Sequence, residues 1–471
     1  MKKMIILISV LACYALAADH FSIYNAKGAL VEKLESQRDS SVEISDVYKK
    51  NGPIYIYKKN DRYKNKNLNV RIDTTLFVKK ESLKKNDFWI EIEKNQNFLL
   101  CFESSNYYSS SLKGESVNDS CVLFEGIPLV GSSYVSVVDI DGKELYKVNI
   151  AIGMKFIDLT RSKHRLGFYG NDYELKVNRI YGDSVLDMKN RIYPDPERIV
   201  SLNDKYLVDT YLATNCEIAS VLSDEISINP KLTNKERNEI SKSWAKRKRD
   251  VKGNKCSVND TAANTLTLYQ AIMYANYRSL KDGLKPYYKF EKTNRKSNVI
   301  LAEGKYVISL LNFDKSDETN VMVTVDELSD GYRLPYYDEW MVFARAGDLN
   351  NRSIWGNAES VEKVLEYAWI GDKTSNLYAS KPVGLLKPNK YGLYDVFGLA
   401  GEFVLFEKNN PFKNHYKTPS CLKGGNLKTR LEKSLYEAHV FPYWKSLNYG
   451  YSDFNFGASL GGVRLVRKLK K

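Results

Sequence analysis

Apolar residues between Phe21 and about residue 165 occur in short runs that either alternate with polar positions or are continuously apolar. A period of two is typical of β-strands. An Asp-Gly pair at 141–142 separates two such runs and predicts a two-residue hairpin turn. Several short strands joined by polar turns therefore predict a β-sandwich-like domain over residues 19–169.

The second half of the chain has a different pattern. Apolar and small residues recur at helical spacing, and a glycine follows as a C-cap. These positions are Leu268, Ala271, Ile272, Ala275, Ser279 and the terminal Gly283. A second helix is predicted to begin at Pro335, run to Arg345 and stop at Gly347. The fold class indicated is α+β, with the β-rich domain first.

The first 18 residues read as a leader for export. Lys2 and Lys3 precede an apolar stretch from Met4 to Ala18, which is too short to span a bilayer. Cleavage near Ala17 is the favoured interpretation, and lipid attachment at Cys13 is the alternative. Either route predicts an exported protein that is periplasmic, on the cell surface or extracellular.

The charge balance is basic. The chain has 71 Lys and Arg against 57 Asp and Glu, a formal net charge of +14. In an exported protein this excess favours a solvated surface with weak attraction to anionic envelope polymers, and a nucleic-acid partner is not expected. The apolar and aromatic content argues against disorder.

The chain has six cysteines, and their positions predict which of them form disulfides. Cys101 and Cys121 each lie in a strand-like run, so two neighbouring strands predict a disulfide between them. A second pair, Cys216 with Cys256, is predicted on weaker grounds, which leaves Cys421 as the odd thiol of the exported chain. No Cys or His pair has the ligand spacing of a zinc site.

An ordered series of motifs carries a resemblance to a known family. It comprises Ala275-Asn276-Tyr277-Arg278-Ser279, Arg333-Leu334-Pro335 with Glu339-Trp340, Pro382-Val383-Gly384, Tyr391-Gly392-Leu393-Tyr394-Asp395, Gly424-Gly425-Asn426 and Gly462-Val463-Arg464. Over residues 170–468 the chain resembles the sulfatase-modifying-factor family, which includes the formylglycine-generating enzymes. The resemblance implies an irregular α+β domain related to C-type lectins. In so loop-rich a fold, Arg333, Glu339, Asp395 and Arg464 are predicted to form structural ion pairs and caps.

The same resemblance locates the chemistry of the family. Its members bind copper(I) with two cysteines that follow a Gly-Gly-Ser segment. Here the serine position is Asn426, and the two cysteine positions fall at Thr429 and Ser434. Because copper(I) is a soft ion that needs sulfur ligands, copper is not expected in this chain. Iron is not expected either, since relatives that use iron carry their histidine ligands in an additional helical domain.

One metal site of the family keeps its residue types. The resemblance implies a calcium ion held by the side chains of Asp395 and Glu402 and by the carbonyls of Gly398 and Ala400, a ligand set that calcium favours. Leu399 and Gly401 depart from the usual Asn and Trp of that loop.

Two functions are compatible with these residues. The first is a non-catalytic binding or assembly protein of the cell envelope, with an envelope protein or a glycan as ligand. The alternative is an enzyme of the formylglycine-generating type with an altered site built around Cys421, Asn426, Thr429 and Ser434. Since no general base lies near those residues in the sequence, the first hypothesis is preferred.

Overall fold

The structure is a computed structural model of the chain. It describes residues 19–25, 30–36, 54–58, 73–78, 89–102, 107–110, 114–118, 121–126, 130–138, 143–166, 198–218, 261–264, 266, 268–295, 299–302, 305–309, 320–346, 365–370, 381–406, 420–425 and 461–470. Within these ranges the chain is mostly β-structure, with two α-helices whose ends both lie inside the ranges, consistent with the α+β prediction. The same ranges hold no helix with the length and hydropathy needed to cross a membrane. The predicted leader and Cys13 lie outside them.

The chain divides into two compact units between Ile152 and Gly153, and the short segment Leu129–Gly131 groups with the second unit. The strands before residue 153 are β1 (Asp19–Asn25), β2 (Leu30–Ser36), β3 (Ile54–Lys58), β4 (Thr74–Val78), β5 (Trp89–Ile92), β6 (Phe98–Phe102), β7 (Tyr107–Ser110), β8 (Gly114–Asn118), β9 (Cys121–Phe124), β10 (Gly131–Val138) and β11 (Glu144–Ile152).

These strands form three sheets. A three-stranded sheet has the order β2-β1-β3, and the two four-stranded sheets have the orders β5-β11-β10-β7 and β4-β6-β9-β8. Both four-stranded sheets contribute to one apolar cluster, in which Phe98 and Phe124 stack with ring centroids 4.8 Å apart. The alternation of β6 explains this: Phe98 and Leu100 join the cluster, whereas Leu99 and Cys101 belong to a second, smaller one.

The second unit contains the remaining strands and both helices. They are β12 (Met154–Asp158), β13 (His164–Leu166), β14 (Arg198–Val200), β15 (Lys205–Asp209), α1 (Leu268–Lys281), β16 (Tyr288–Thr293), β17 (Val299–Ala302), β18 (Lys305–Ser309), β19 (Asn320–Val325), β20 (Tyr332–Arg333), α2 (Tyr337–Ala344), β21 (Ala368–Trp369), β22 (Phe397–Gly398), β23 (Gly401–Leu405), β24 (Ser420–Lys423), β25 (Gly461–Gly462) and β26 (Val466–Leu469).

Five small sheets organise the described part of this unit. Their orders are β12-β15-β26-β20, β13-β14, β16-β19-β18-β17, β21-β22 and β24-β23-β25. In the first of them β26 is antiparallel to β15 on one side and to β20 on the other. Tyr206, Trp340, Phe343 and Phe397 are among the side chains of the apolar cluster packed beside it.

The division between the units comes earlier than the 169/170 boundary predicted from the sequence. The difference arises because β12 pairs along its whole length with β15, from Met154 opposite Asp209 to Asp158 opposite Lys205. The residue pattern of β12 resembles that of the strands before it. Only its pairing with β15 assigns it to the second unit.

Both predicted helices are present. After α1 ends at Lys281, Gly283 takes a left-handed φ of 71°, and the amide of Leu284 returns to the carbonyl of Ser279 at 2.7 Å. Helix α2 begins two residues later than predicted, because the Pro335 carbonyl accepts a hydrogen bond from Leu405 of β23 at 3.0 Å.

Candidate functional site

The Arg-Leu-Pro motif forms a buried ion pair at the start of α2. The guanidinium of Arg333 contacts both carboxylate oxygens of Glu339, at 2.6 and 2.7 Å, and Glu339 also accepts the amide of Tyr336 at 2.9 Å. Burial alone would raise the pKa of Glu339, but Arg333 and these hydrogen bonds hold that pKa below its usual value. The pair therefore fixes the helix start.

Arg464 is the centre of a second buried network. Its Nε and Nη2 donate to Glu402 at 3.0 and 2.9 Å, and it also donates to the backbone carbonyls of Asp209, Thr210 and Tyr394. The indole of Trp340 donates to the other oxygen of Glu402 at 2.7 Å. Burial raises the pKa of Glu402, and Arg464 opposes that shift. Arg464 thus joins β23, the end of β15 and the segment at Tyr394.

A third pair lies beside the second. Arg278 of α1 donates to both oxygens of Asp209, at 2.8 and 2.7 Å, and its guanidinium lies 4.2 Å from the ring centre of Tyr332. Asp209 also accepts the amide of Leu465 at 2.9 Å. All three pairs are almost fully buried, which agrees with the structural role predicted for Arg333, Glu339 and Arg464.

The Ala-Asn-Tyr-Arg-Ser motif of α1 joins the helix to neighbouring strands. The amide group of Asn276 donates to the Tyr288 carbonyl at 2.7 Å and accepts the Tyr288 amide at 3.0 Å. The hydroxyl of Ser279 accepts the amide of Tyr332 at 2.8 Å. These side chains replace ladder hydrogen bonds where the backbone is irregular.

The two predicted calcium ligands that act through side chains, Asp395 and Glu402, both accept hydrogen bonds from protein groups. Both oxygens of Glu402 already accept hydrogen bonds from Arg464 and Trp340, so calcium would require Glu402 to leave a guanidinium. Asp395 accepts the Gly384 amide with one oxygen at 2.6 Å, and its other oxygen is buried without a partner. Burial, opposed by that hydrogen bond and by Arg464, raises the pKa of Asp395 to about 6.

The backbone of the other two predicted ligands lies close to the glycine pair. Gly398 donates to the Gly424 carbonyl at 2.9 Å, while Ala400 packs in a small apolar cluster. No group of three His, Cys, Asp or Glu side chains within the described ranges has an arrangement that would hold a metal ion.

Gly424 and Gly425 form a tight turn at the place where the family carries its chemistry. Both have left-handed φ angles, 86° and 74°, and a Cβ on Gly424 would lie 2.5 Å from the Val396 carbonyl oxygen. The positions that follow, Asn426, Thr429 and Ser434, lie outside the described residues. Cys421 pairs with Val404 in the strand that leads into the turn.

Lys423, which the sequence analysis did not single out, is buried beside this turn. Its ammonium donates to the hydroxyl of Tyr337 at 3.2 Å and lies 4.3 Å from the centre of that ring. In the β23–β24 ladder Lys423 is opposite Glu402. A buried lysine has no distinctive local pattern in a sequence. Only the position of Lys423 directly before the glycine pair could have indicated that it lies at this turn.

The cysteines are partly accounted for. Cys101 and Cys121, directly opposite in the β6–β9 ladder, are joined by a disulfide, the pair that neighbouring strands predicted. Cys216 is also disulfide-bonded, and Cys256 lies outside the described residues. The pairing of Cys216 with Cys256 stays a prediction.

Comparison with known proteins agrees with this geometry. The family model of the sulfatase-modifying factor enzyme 1-like domain matches residues 176–468. The chain belongs to this family. A curated relative, the chaperone protein LppX of Paenibacillus barcinonensis, is 30% identical over 151 residues. That match covers 29% of this chain and 49% of LppX, so the chain spans about half the length of this relative.

Three solved structures show remote similarity. Variable protein 1 of Treponema denticola has a TM-score of 0.36 and 16% identity, and the match covers 76% of this chain and 99% of that protein. CarF has a TM-score of 0.33 and 16% identity, with coverage of 66% and 100%. PvdO from Pseudomonas aeruginosa has a TM-score of 0.35 and 13% identity, with coverage of 67% and 94%.

The second compact unit begins before the range that the family model matches. Strands β12 and β13 precede residue 176, yet each pairs with a strand inside the matched range, β15 and β14 respectively. By this pairing, residues from Gly153 onward group with the matched range in one unit.

Proposed function

We propose that this chain is an exported protein of the cell envelope whose sulfatase-modifying-factor domain acts in binding or assembly rather than in cysteine oxidation. One observation carries the proposal. The copper-binding positions of the family hold Thr429 and Ser434, while Arg333, Glu339, Glu402 and Arg464 of the family motifs form buried ion pairs. A hydroxyl is a poor ligand for copper(I).

The buried pairs also limit acid–base chemistry. Glu339 and Glu402 each face an arginine and are closed off from solvent. A general acid or base must reach the proton that it transfers, so these carboxylates serve the fold. This supports a domain that keeps the family scaffold and presents loops for recognition.

Export and assembly have separate support. The apolar leader after Lys2 and Lys3 has the composition of a signal peptide. The similarity to a protein named as a chaperone favours a role in assembly, with an envelope protein or a glycan as the ligand. For the first unit we propose a β-sandwich that serves as a second binding module, since its two four-stranded sheets share one apolar cluster.

The chemical part of the proposal is tested by restoring the missing thiols. The wild-type chain and the double variant Thr429→Cys with Ser434→Cys are loaded with copper(I) and incubated with a Cys-x-Pro-x-Arg peptide in air. Mass spectrometry of the peptide detects conversion of the thiol to an aldehyde. We expect none with the wild type, and conversion by the unmodified chain would overturn the non-catalytic assignment.

The binding part is tested by site-specific cross-linking. A photoreactive residue at Asn426 next to the glycine turn is compared with one at Leu328, an exposed control position, in intact envelopes. We expect a defined cross-linked protein or glycan from position 426 alone. Identical products from both positions would count against a recognition role for this loop.

The alternative is an enzyme with an altered site that uses Cys421. Its support is position: β24 carries Cys421 three residues before Gly424. If this holds, Cys421→Ser abolishes peptide conversion by the otherwise unmodified chain. If the wild type shows no conversion, Cys421→Ser has nothing to remove and the alternative fails.

A further inference from the structure

Four tyrosines lie close together beside the Arg-Leu-Pro motif of the second unit. Tyr287 and Tyr288 lie at the start of β16, Tyr306 lies in β18, and Tyr336 directly precedes α2. We call these four residues the phenol cluster. The structural roles found above for the family motifs use none of their hydroxyls.

Tyr288 and Tyr306 emerge from the same face of the sheet β16-β19-β18-β17. Tyr306 is opposite Val323 of β19, and Val323 is opposite Phe290 of β16. Residues directly opposite each other share a face, and so do alternate residues of one strand, which places Tyr288 on the face of Tyr306. The hydroxyl oxygen of Tyr288 accepts the amide of Leu334 at 3.0 Å. This face therefore packs toward the Arg-Leu-Pro motif.

The hydrogen bonds of the phenol cluster leave one buried hydroxyl over. The hydroxyl oxygens of Tyr287 and Tyr336 are 2.9 Å apart, so one of these two groups donates to the other. The Tyr306 hydroxyl is buried and has no hydrogen-bond partner within the part of the chain that the structure describes. Only 5% of Tyr306 is accessible to solvent. Because a buried hydroxyl without a partner is costly, Tyr306 points to a ligand.

The charged groups beside the cluster neutralise each other. The guanidinium of Arg333 lies 4.9 Å from the ring centre of Tyr336 and 5.6 Å from that of Tyr287. Glu339 binds the same guanidinium through two hydrogen bonds. Burial, and after it the neighbouring phenols of Tyr336 and Tyr287, raise the pKa of Tyr306, so its hydroxyl keeps its hydrogen at neutral pH. Neutral hydroxyls beside a neutralised ion pair favour an uncharged ligand over an ion.

The surroundings of the cluster also limit the size of a ligand. Tyr287, Tyr288 and Tyr306 are buried, and only Tyr336 is partly exposed. A ligand that reaches the Tyr306 hydroxyl must therefore be small.

We propose that the phenol cluster is a binding site for one water molecule, whose oxygen accepts the Tyr306 hydroxyl. A buried water makes roughly two to four hydrogen bonds to polar groups that would otherwise lack a partner. The remaining phenol oxygens of the cluster are acceptors for the hydrogens of this water. In that position the water joins β18 to the segment in which Leu334 and Tyr336 lead into α2.

The first test compares the melting temperature of Tyr306→Phe with that of the wild-type chain. Phenylalanine keeps the ring and removes only the hydroxyl. If water is bound there, the variant loses a buried hydrogen bond and should melt about 2–4 °C lower. Without a bound water, the change would remove an unpaired buried hydroxyl, and an equal or higher melting temperature would overturn the proposal. Tyr391→Phe, at a partly exposed position of the same unit, is the matched control and should leave the melting temperature unchanged.

The second test counts bound water directly. Oxygen-17 magnetic relaxation dispersion detects water molecules that stay in a protein longer than the protein takes to rotate. We expect the full wild-type chain to hold one more long-lived water than Tyr306→Phe, and Tyr391→Phe to hold as many as the wild type. Equal numbers in the wild type and Tyr306→Phe would remove the site.

An anion is the rival ligand, and a third measurement separates it from water. The wild-type chain is melted in sodium chloride and in sodium gluconate at equal ionic strength. We expect the same melting temperature in both salts. A higher melting temperature in chloride that disappears in Tyr306→Phe would assign the site to an anion and overturn the proposal.

Discussion

The two units of this protein are stabilised in contrasting ways. In the first, apolar side chains from two four-stranded sheets share one cluster, and a disulfide joins β6 to β9. In the second, five small sheets are connected by loops, and three arginine–carboxylate pairs are buried among them. Long ladders satisfy their own backbone groups, whereas a loop-rich unit needs side chains to do so. In the second unit the buried arginine–carboxylate pairs satisfy backbone groups that long strand ladders satisfy in the first.

The largest expected effect is in the second unit. Arg464→Met leaves Glu402 buried without its counter-ion and should lower the free energy of unfolding by about 3–5 kcal/mol. Lys470→Met, an exposed change in the same segment, should alter it by less than about 0.5 kcal/mol. Urea unfolding measures both. Equal stability of the two variants would show that the ion pair is not what holds the loops.

The corresponding change in the first unit is Cys101→Ser. The disulfide closes a sequence separation of 20 residues, so its loss should cost about 3 kcal/mol. Substitution is preferable to reduction, because a reductant would also open the bond of Cys216. Calorimetry should show a lower melting temperature for the first unit and an unchanged melting temperature for the second. A uniform loss of both transitions would break the comparison between independent units.

A smaller effect is expected at the α1–β16 junction. Asn276→Ala removes both partners of the Tyr288 backbone and should cost about 2 kcal/mol. Asn276→Asp keeps the acceptor for the Tyr288 amide but places a buried carboxylate oxygen against the Tyr288 carbonyl, so it should cost at least as much as the alanine variant. Leu280→Ala, at an exposed position of the same helix, is the control. Thermal unfolding gives the order of the three variants, and an Asp variant more stable than the Ala variant would contradict it.

Surface charges should matter least for stability. Hydrogen bonds from Lys285 and Lys289 lower the pKa of Asp326 to about 2. Because this pKa is lower in the folded than in the unfolded state, the stabilisation is present above the usual value of 3.8 and is lost as pH falls through about 2. Lys289→Ala should raise the pKa of Asp326, whereas Lys387→Ala, which removes a distant pair with Glu366, should not. Carboxyl NMR titration distinguishes them.

No effect is expected from calcium. Since Glu402 is engaged by Arg464 and Trp340, millimolar calcium and a chelator should give the same melting temperature. A rise with calcium that disappears in Asp395→Asn would show that the carboxylate exchanges its guanidinium for a metal ion. In that case the Arg464–Glu402 contact would be exchanged for a calcium site.

The sequence predicted the structural features that depend on residues close together in the chain. Helices α1 and α2 and the strands of the first unit follow from the pattern of residues a few positions apart. The partner of Arg464 was missed because Glu402 is 62 residues away, and the family resemblance assigned Glu402 to a calcium site instead. The unit boundary differed for the same reason, since β12 is assigned by its pairing with β15.

Strand β26 gives the second unit an order of assembly. It lies between β15 and β20, and the amide of Leu465 bonds to an Asp209 carboxylate 256 residues earlier. As the chain is synthesised, a slot therefore stays open between two strand edges until residues 461–469 arrive, and open edges pair readily with foreign strands. A chain shortened at residue 460 should keep that slot, and a separate peptide of residues 461–470 should fill it by strand addition.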